Sequence, residues 1–238
     1  MRLDIFLPVY NEGKRIRKNF MILKNYLDRN INKKNIKTRI FFVDDNSKDN
    51  TLAELKKLKK EYAIKYFHFN KGPSRRENLG QAMASSSADF IMLIDFDLAT
   101  DLKHLDQVIS LLKKGYNLVT GSRYLKESKL KREMNRLLIS RVYNWFMRFY
   151  FGSKLYDHQC GFKAFSRKEY RQLIKETGYD STYSRGWFWD VEMLVRAQKH
   201  GYKVKEIPVV WNAGKQSSFN IRRELRMLPT VFKLRFKL

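Results

Sequence analysis

Five short apolar runs, at residues 3–7, 39–43, 64–69, 90–94 and 117–120, recur through the first half of the chain with helical patterns between them. Runs of this length, bounded by polar turn residues, read as strands covered on both faces. Between the first two, Ile16, Phe20, Leu23 and Leu27 repeat at helical spacing. Leu52, Leu55, Leu58 and Tyr62 do so approximately, and Leu102, Leu105, Ile109 and Leu112 do so closely. Strands alternating with helices build βαβ units, so the chain is expected to be an α/β protein with a mainly parallel central sheet flanked by helices. In such a sheet, ligands bind beyond the carboxyl ends of the strands. Three polar clusters stand at those ends: Tyr10-Asn11-Glu12, Asp44-Asp45-Asn46 and Asp95-Phe96-Asp97.

The second half reads differently. Residues 132–151 fit a helix with Leu138, Val142, Trp145 and Phe149 on one stripe, but Tyr143, Phe146, Met147, Tyr150 and Phe151 spread apolar surface nearly all round it. Such a helix needs cover on most sides, and lipid is one candidate for part of it. Arg132, Arg136, Arg141 and Arg148 are interspersed along it. Residues 203–210 read as a further strand and 190–200 as a helix with Asp190 at its start. The tail places Ile221, Leu225, Leu228 and Phe232 on one stripe among basic residues, with Pro229 expected to break or kink it. The chain is therefore divided into a main domain, 1–216, and a basic amphipathic tail, 217–238.

Charge narrows the partners. Lys plus Arg total 49 against 24 acidic residues, leaving +25. That excess predicts an anionic partner: nucleic acid, an anionic membrane surface or a phosphorylated substrate. Cys160 is the lone cysteine, which excludes internal disulfides and Cys-rich zinc sites. No run approaches the ~20 apolar residues of a membrane span, and the opening residues do not read as a secretion leader.

The candidate chemistry sits at the strand exits. Asp95 and Asp97 end a hydrophobic strand as a D-x-D pair, and such oxygen ligands suit Mg²⁺ or Mn²⁺ shared with substrate phosphates. Taken alone, the pair also fits an ordinary turn. Asp44 and Asp45 precede a helix whose cap is Ser47, Asp49 or Asn50, and they are free to meet a nucleobase or ribose. In PVYNE, at 8–12, Tyr10 offers a ring to stack on a base and Glu12 a carboxylate.

Together PVYNE, VDDNS at 43–47 and the D-x-D resemble the inverting family 2 glycosyltransferases of GT-A (Rossmann-like) fold. The likeness continues through GSRY at 121–124, DHQCGFKAF at 157–165, WFWDVEML at 187–194 and VKEIPVVW at 204–211. These later motifs look like the polyprenyl-phosphate branch, the dolichyl-phosphate mannose and glucose synthases; QCGFK and the basic tail look closer to the glucose type. The resemblance implies that Pro8, Tyr10, Glu12, Asp44, Asp45 and Lys71 bind the nucleotide-sugar donor with Asp95 and Asp97, which also hold the metal. It implies a phosphate-binding Arg123 and an acceptor site of Arg123, Arg132, Arg136, Ser140, Asp157, Gln159 and Lys215. Catalysis would rest on Asp95, Asp97, Arg123 and Asp190. Two departures stand out. Ala99 occupies a position where mannose synthases carry a metal-contacting Gln, which weakens a GDP-mannose reading. In KGPSRRENLG, at 71–80, Glu77 and Asn78 replace the usual arginine, leaving its role to Arg75 or Arg76.

The expected reaction is transfer of a sugar to a polyprenyl (dolichyl) phosphate at the cytoplasmic face of a membrane, with the protein held peripherally by interfacial helices or by a membrane-protein partner. One rival is a saccharide acceptor with Asp190 as general base, since a sugar hydroxyl needs one and a phosphate does not. The other is nucleic-acid binding. The acidic strand exits argue against it, and no nucleic-acid-binding motif is present.

Overall fold

The computed structural model describes residues 1–73, 75–131, 134–178, 185–186, 188–212 and 228–235, without the side chains of Arg136 and 228–230. Seven strands form one sheet in the order β3-β2-β1-β4-β7-β5-β8. These are β1 (Arg2–Val9), β2 (Lys37–Asp44), β3 (Lys65–His68), β4 (Phe90–Ile94), β5 (Leu118–Ser122), β7 (Phe162–Ser166) and β8 (Val204–Pro208). All neighbouring pairs are parallel except those made by β7, which runs antiparallel between β4 and β5. The five apolar runs of the first half are β1 to β5. The run at 203–210 divides after Pro208 into β8 and a short β9 (Val210–Asn212), which pairs with β6 (Lys129–Lys131) in a separate two-stranded sheet.

Helices cover both faces. On one face, α1 (Ile16–Tyr26), α2 (Thr51–Glu61) and α4 (Leu105–Lys113) bury Ile16, Phe20, Leu23, Leu55, Leu58, Leu105, Ile109 and Leu112 against Leu3, Ile5, Leu7 and Phe42. These are eight of the twelve residues whose spacing predicted the helices, and Leu27 and Leu102 are buried in the same cluster. On the other face, α3 (Arg76–Ala84), α6 (Arg167–Thr177) and α7 (Phe188–Lys199) pack Leu79, Met83, Tyr170, Leu173, Trp189 and Met193 against Phe6, Val43, Leu93 and Phe165. Each such large side chain taken from water contributes about 1.5–3 kcal/mol. A third cluster joins Met147 and Phe151 of α5 (Met134–Phe151) to Phe188, Val191 and Val195 of α7 and to Val231 and Leu234 of α8 (Leu228–Arg235). Pro229 lies in the first turn of α8, where its missing N–H costs no helical bond. The rest of the expected tail stripe, and the boundary expected at 216, lie outside the described residues.

The expectation missed β6, β7, α3 and α6. GFKAF, which forms most of β7, carries a lysine in its middle, and a five-residue run with one charge does not read as a central strand. The structure buries that lysine for a reason found at the site.

A candidate active site at the carboxyl edge of the sheet

β2 and β3 extend to one side of β1 while β4 lies on the other. The strand order therefore reverses between β1 and β4, and the crevice above that point is where open α/β sheets take ligands. The loop after β1 and the loop after β2 are laced into one rim. Asn11, at a positive φ of 55°, accepts from the Lys48 amide through its side chain (2.8 Å), and its own amide donates to Ser47 Oγ (2.9 Å). The Glu12 amide donates to Thr51 Oγ1 (2.7 Å) and the Gly13 amide to Asp49 Oδ2 (3.1 Å). Tyr10 projects from this rim with 38% of its surface exposed, a ring open to stacking. Pro8 is half-buried beneath it. The Glu12 carboxylate is gripped by Arg15 through two bonds of 2.8 and 2.7 Å; burial nonetheless leaves its pKa above the usual carboxylate value.

The two acids of VDDNS are placed deeper than their sequence suggests. Asp44 is fully buried, taking the Ser47 hydroxyl on one oxygen and His68 Nδ1 on the other (2.6 Å). Asp45 accepts from the Arg75 amide (2.7 Å) and from the Asn78 side chain. Burial raises its pKa against the pull of those donors. Asp45 thus anchors the start of α3, and Asn78 also binds the carbonyl of the exposed Lys71 (2.6 Å).

The D-x-D pair turns out of β4 where strand alternation ends. Gly161 makes the turn possible: its carbonyl accepts the Asp95 amide (2.8 Å), and a Cβ on it would stand 1.9 Å from the Asp95 carboxylate. Asn19 holds the Phe96 carbonyl (3.0 Å), and the Ala99 amide donates to Asp97 Oδ1 (3.0 Å). Asp97 keeps solvent access, yet the protein crowding around it, and next the charge of Asp95, push its carboxyl up to about 6. Two carboxylates that oppose each other's charge fit a divalent cation. Among the described residues no third acid, His or Cys completes a cage. That donor set matches Mg²⁺ or Mn²⁺, which take one or two carboxylates and complete their shell with substrate phosphates and water.

Behind Asp95 lies a buried charge relay. Arg76, the first residue of α3, places Nη2 3.6 Å from Asp95 Oδ1 and Nε 3.2 Å from Asp190 Oδ2. Lys163 of β7, 1% exposed, donates to Asp190 Oδ1 (3.1 Å) and to the Cys160 carbonyl. Arg76 thus reaches the acid pair, and Lys163 is a further candidate site residue that the motifs did not mark. Its signal was a lysine inside an apolar run beside a glycine. α3 is fixed against α7 by Arg185, which joins Glu77 (3.1 Å) to Glu192 (3.0 Å).

The opposite flank is built on Arg123, which follows β5. Its amide, Nε and Nη2 all donate to Asp157, at 3.0, 2.6 and 2.8 Å. Its guanidinium also lies over Tyr124 and Trp211. Burial opposes both charges, but each partner outweighs it, so the Arg123 pKa is raised and the Asp157 pKa lowered. The backbone N–H of the half-buried Gln159 donates to Asp157 Oδ1 (3.1 Å), and Ser140 of α5 accepts the Tyr124 hydroxyl (2.8 Å). Cys160 is sealed beneath, its thiol pushed up to about 12 by burial, so it packs rather than reacts. Arg123, Ser140, Asp157 and Gln159 are thus brought together. Arg132, Lys215 and the Arg136 side chain lie outside the described residues.

Known proteins share this fold. Solved structures of similar fold include a glucosyl-3-phosphoglycerate synthase from Mycobacterium tuberculosis in complex with UDP (TM-score 0.68, 16% identity, 98% of this chain and 79% of that one). Another is the mannosyltransferase PcManGT from Pyrobaculum calidifontis in complex with GDP-Man and Mn²⁺ (TM-score 0.62, 17% identity, 95% and 61%). Among sequence relatives, the glycosyltransferase AglD of Haloferax volcanii is 32% identical over 94% of this chain, which spans only 35% of AglD. The dolichyl-phosphate beta-glucosyltransferase ALG5A of Trichomonas vaginalis is 30% identical over 98% of this chain and 72% of its own length. The family model for glycosyl transferase family 2 matches residues 4–174, from β1 through most of α6, and the chain belongs to that family as a glycosyltransferase.

Proposed function

We propose that the protein transfers a hexosyl group, with inversion, from a nucleoside-diphosphate sugar to a polyprenyl (dolichyl) phosphate. The observation that carries the choice of acceptor is the state of Asp190. Its side chain is 2% exposed, and its two oxygens face Lys163 and Arg76. A general base must reach the attacking hydroxyl, whereas Asp190 is enclosed and acts as counter-ion to two buried cations. A phosphate monoester, with a second pKa of about 6, needs no such base at neutral pH. The names of the relatives, dolichyl-phosphate glucosyltransferases, support the same acceptor class.

The division of labour follows from position. Tyr10 and the laced rim receive the nucleoside. Asp95 and Asp97 would hold Mg²⁺ or Mn²⁺, which when bound supplies positive charge to the departing diphosphate. Arg76 keeps Asp95 oriented and Asp190 compensated. An acceptor phosphate oxygen forms the new bond to the anomeric carbon as the bond to the diphosphate oxygen breaks, and the electron pair leaves with the nucleoside diphosphate. Arg123 stays clamped by Asp157 and frames the acceptor side with Ser140 and Gln159. Ala99, an apolar side chain beside the acid pair, favours glucose over mannose on the family pattern.

The lipid acceptor accounts for α5. Leu138, Val142, Trp145 and Phe149 are 57–78% exposed and lie on its outer stripe, while no described helix is long and apolar enough to cross a membrane. Such a stripe, with basic charge around it, suits a peripheral position on an anionic cytoplasmic leaflet.

The test is incubation of purified protein with UDP-glucose, UDP-N-acetylglucosamine or GDP-mannose, Mg²⁺ or Mn²⁺, and a short polyprenyl phosphate, followed by mass analysis. A hexosyl phosphate lipid is expected, with Asp190→Asn lowering stability but retaining turnover in the folded fraction. Transfer only to a saccharide, abolished by Asp190→Asn, would replace this reading by the rival one.

A further inference from the structure

A groove of about 750 Å³ lies at the opposite end of the sheet from the acid pair, lined by Tyr116, Phe151, Lys154, Lys199, Tyr202 and Lys203 among others. Lys114 also lines it. The four lysines are exposed, and none has an ion-pair partner among the described residues. Three of them stand where helices end: Lys114 caps α4, Lys154 follows α5 and Lys199 closes α7, while Lys203 precedes β8. Helix-end dipoles favour a cation by only ~0.3–1 kcal/mol each, so full positive charges still face the groove.

We propose that this groove binds the phosphate headgroup of an anionic phospholipid, as a second membrane contact distinct from the acceptor site. From Ser140, beside Tyr124, α5 runs about 16 Å to Phe151 at the groove. Its exposed stripe ends at Phe149, two residues before the groove begins. An apolar stripe leading directly into an unpaired basic cluster has the composition of an interfacial helix with a headgroup site at its end. The other basic groove, formed by Arg167, Lys168, Arg171 and Lys175 of α6, has no exposed apolar stripe beside it, and Arg167 and Arg171 are bonded to the carbonyls of Ser87 and Ser86. The inference rests on the membrane placement proposed above.

The test is co-sedimentation with vesicles of phosphatidylcholine, with and without phosphatidylserine, at low and physiological salt. The groove variant carries Lys114→Gln, Lys154→Gln, Lys199→Gln and Lys203→Gln. A charge-matched control carries Lys56→Gln, Lys60→Gln, Lys168→Gln and Lys175→Gln. A loss of roughly tenfold or more in partition to anionic vesicles is expected for the groove variant, with a much smaller change in the control. Transfer to a short, water-soluble polyprenyl phosphate should be unchanged in both. Equal losses in the two variants would overturn the groove and leave the membrane reading standing; no binding by the unmodified protein would overturn both. Unchanged vesicle binding with lost RNA binding in the groove variant would replace lipid by nucleic acid. Loss of transfer to any polyprenyl phosphate by the unmodified protein would strike the proposed reaction alone.

Discussion

His158 is wholly enclosed, bonded to Asn144 at Nδ1 (2.9 Å) and Ser153 at Nε2 (2.8 Å). Burial lowers its pKa to about 4, with Lys163 and Arg148 adding to the effect and Asp157 opposing it. The unfolded chain, with a histidine pKa near 6.5, binds the proton more readily than the folded one. Stability from this group is therefore full above about pH 6.5 and falls by roughly 3 kcal/mol as pH drops to about 4. Urea unfolding at several pH values should show that slope, and His158→Gln should flatten it; parallel profiles would refute the account. Gly161 acts by absence: Gly161→Ala should displace the Asp95 carboxylate and weaken binding of a nucleoside diphosphate with Mn²⁺ by tenfold or more, about 1.4 kcal/mol. Calorimetry on a variant with unchanged circular dichroism measures it, and unaltered affinity would mean that Asp95 is not a ligand.

At the scale of elements, α5 has one face buried in the core and one exposed. Met147 is 1% exposed in the cluster with α7 and α8, so Met147→Ala should cost about 2–5 kcal/mol of folding stability. Trp145 and Phe149 stack on each other at 5.9 Å and are 64% and 78% exposed. Replacing both by Ser should change stability by less than about 1 kcal/mol while reducing vesicle binding. If unfolding curves shifted as far for the exposed pair as for Met147, the stripe would be part of the fold rather than a surface for lipid. The α3–α7 clamp is the element that sets the relay. Arg185→Met leaves Glu77 and Glu192 buried without that cation and should cost about 3–5 kcal/mol.

For the whole molecule, the donor site and the folded sheet are linked, because β1, β2 and β4 each end in the same crevice. A ligand held there stabilises the native state by mass action. At a hundredfold excess over its Kd, UDP with Mn²⁺ should add about 2.7 kcal/mol, a rise in Tm of roughly 5–10 °C for a chain of this size. The rise should vanish in EDTA. An equal shift with the metal removed would separate donor binding from Asp95 and Asp97.

What the chain's own pattern determined was the layered α/β class, the strands β1 to β5, and the clusters that exit them. Burial on both faces forces continuous apolar runs, and helices packed on a sheet force the 3.6-residue repeat, so both are written locally. The D-x-D pair was legible for the same reason, as polar residues standing directly after such a run. The tertiary structure alone decided the rest. β7 is set antiparallel between two strands distant in sequence, and that placement carries Lys163 to within 3.1 Å of Asp190. It also brings Gly161 beneath Asp95, while the packing of α3 sets Arg76 3.6 Å from Asp95. Which of α5's apolar residues are buried was equally undecided by the sequence, since the helix is apolar almost all round and only its neighbours choose a face. Ion pairs and close approaches between distant residues leave no periodic trace in a sequence, because they depend on where the sheet places its strands.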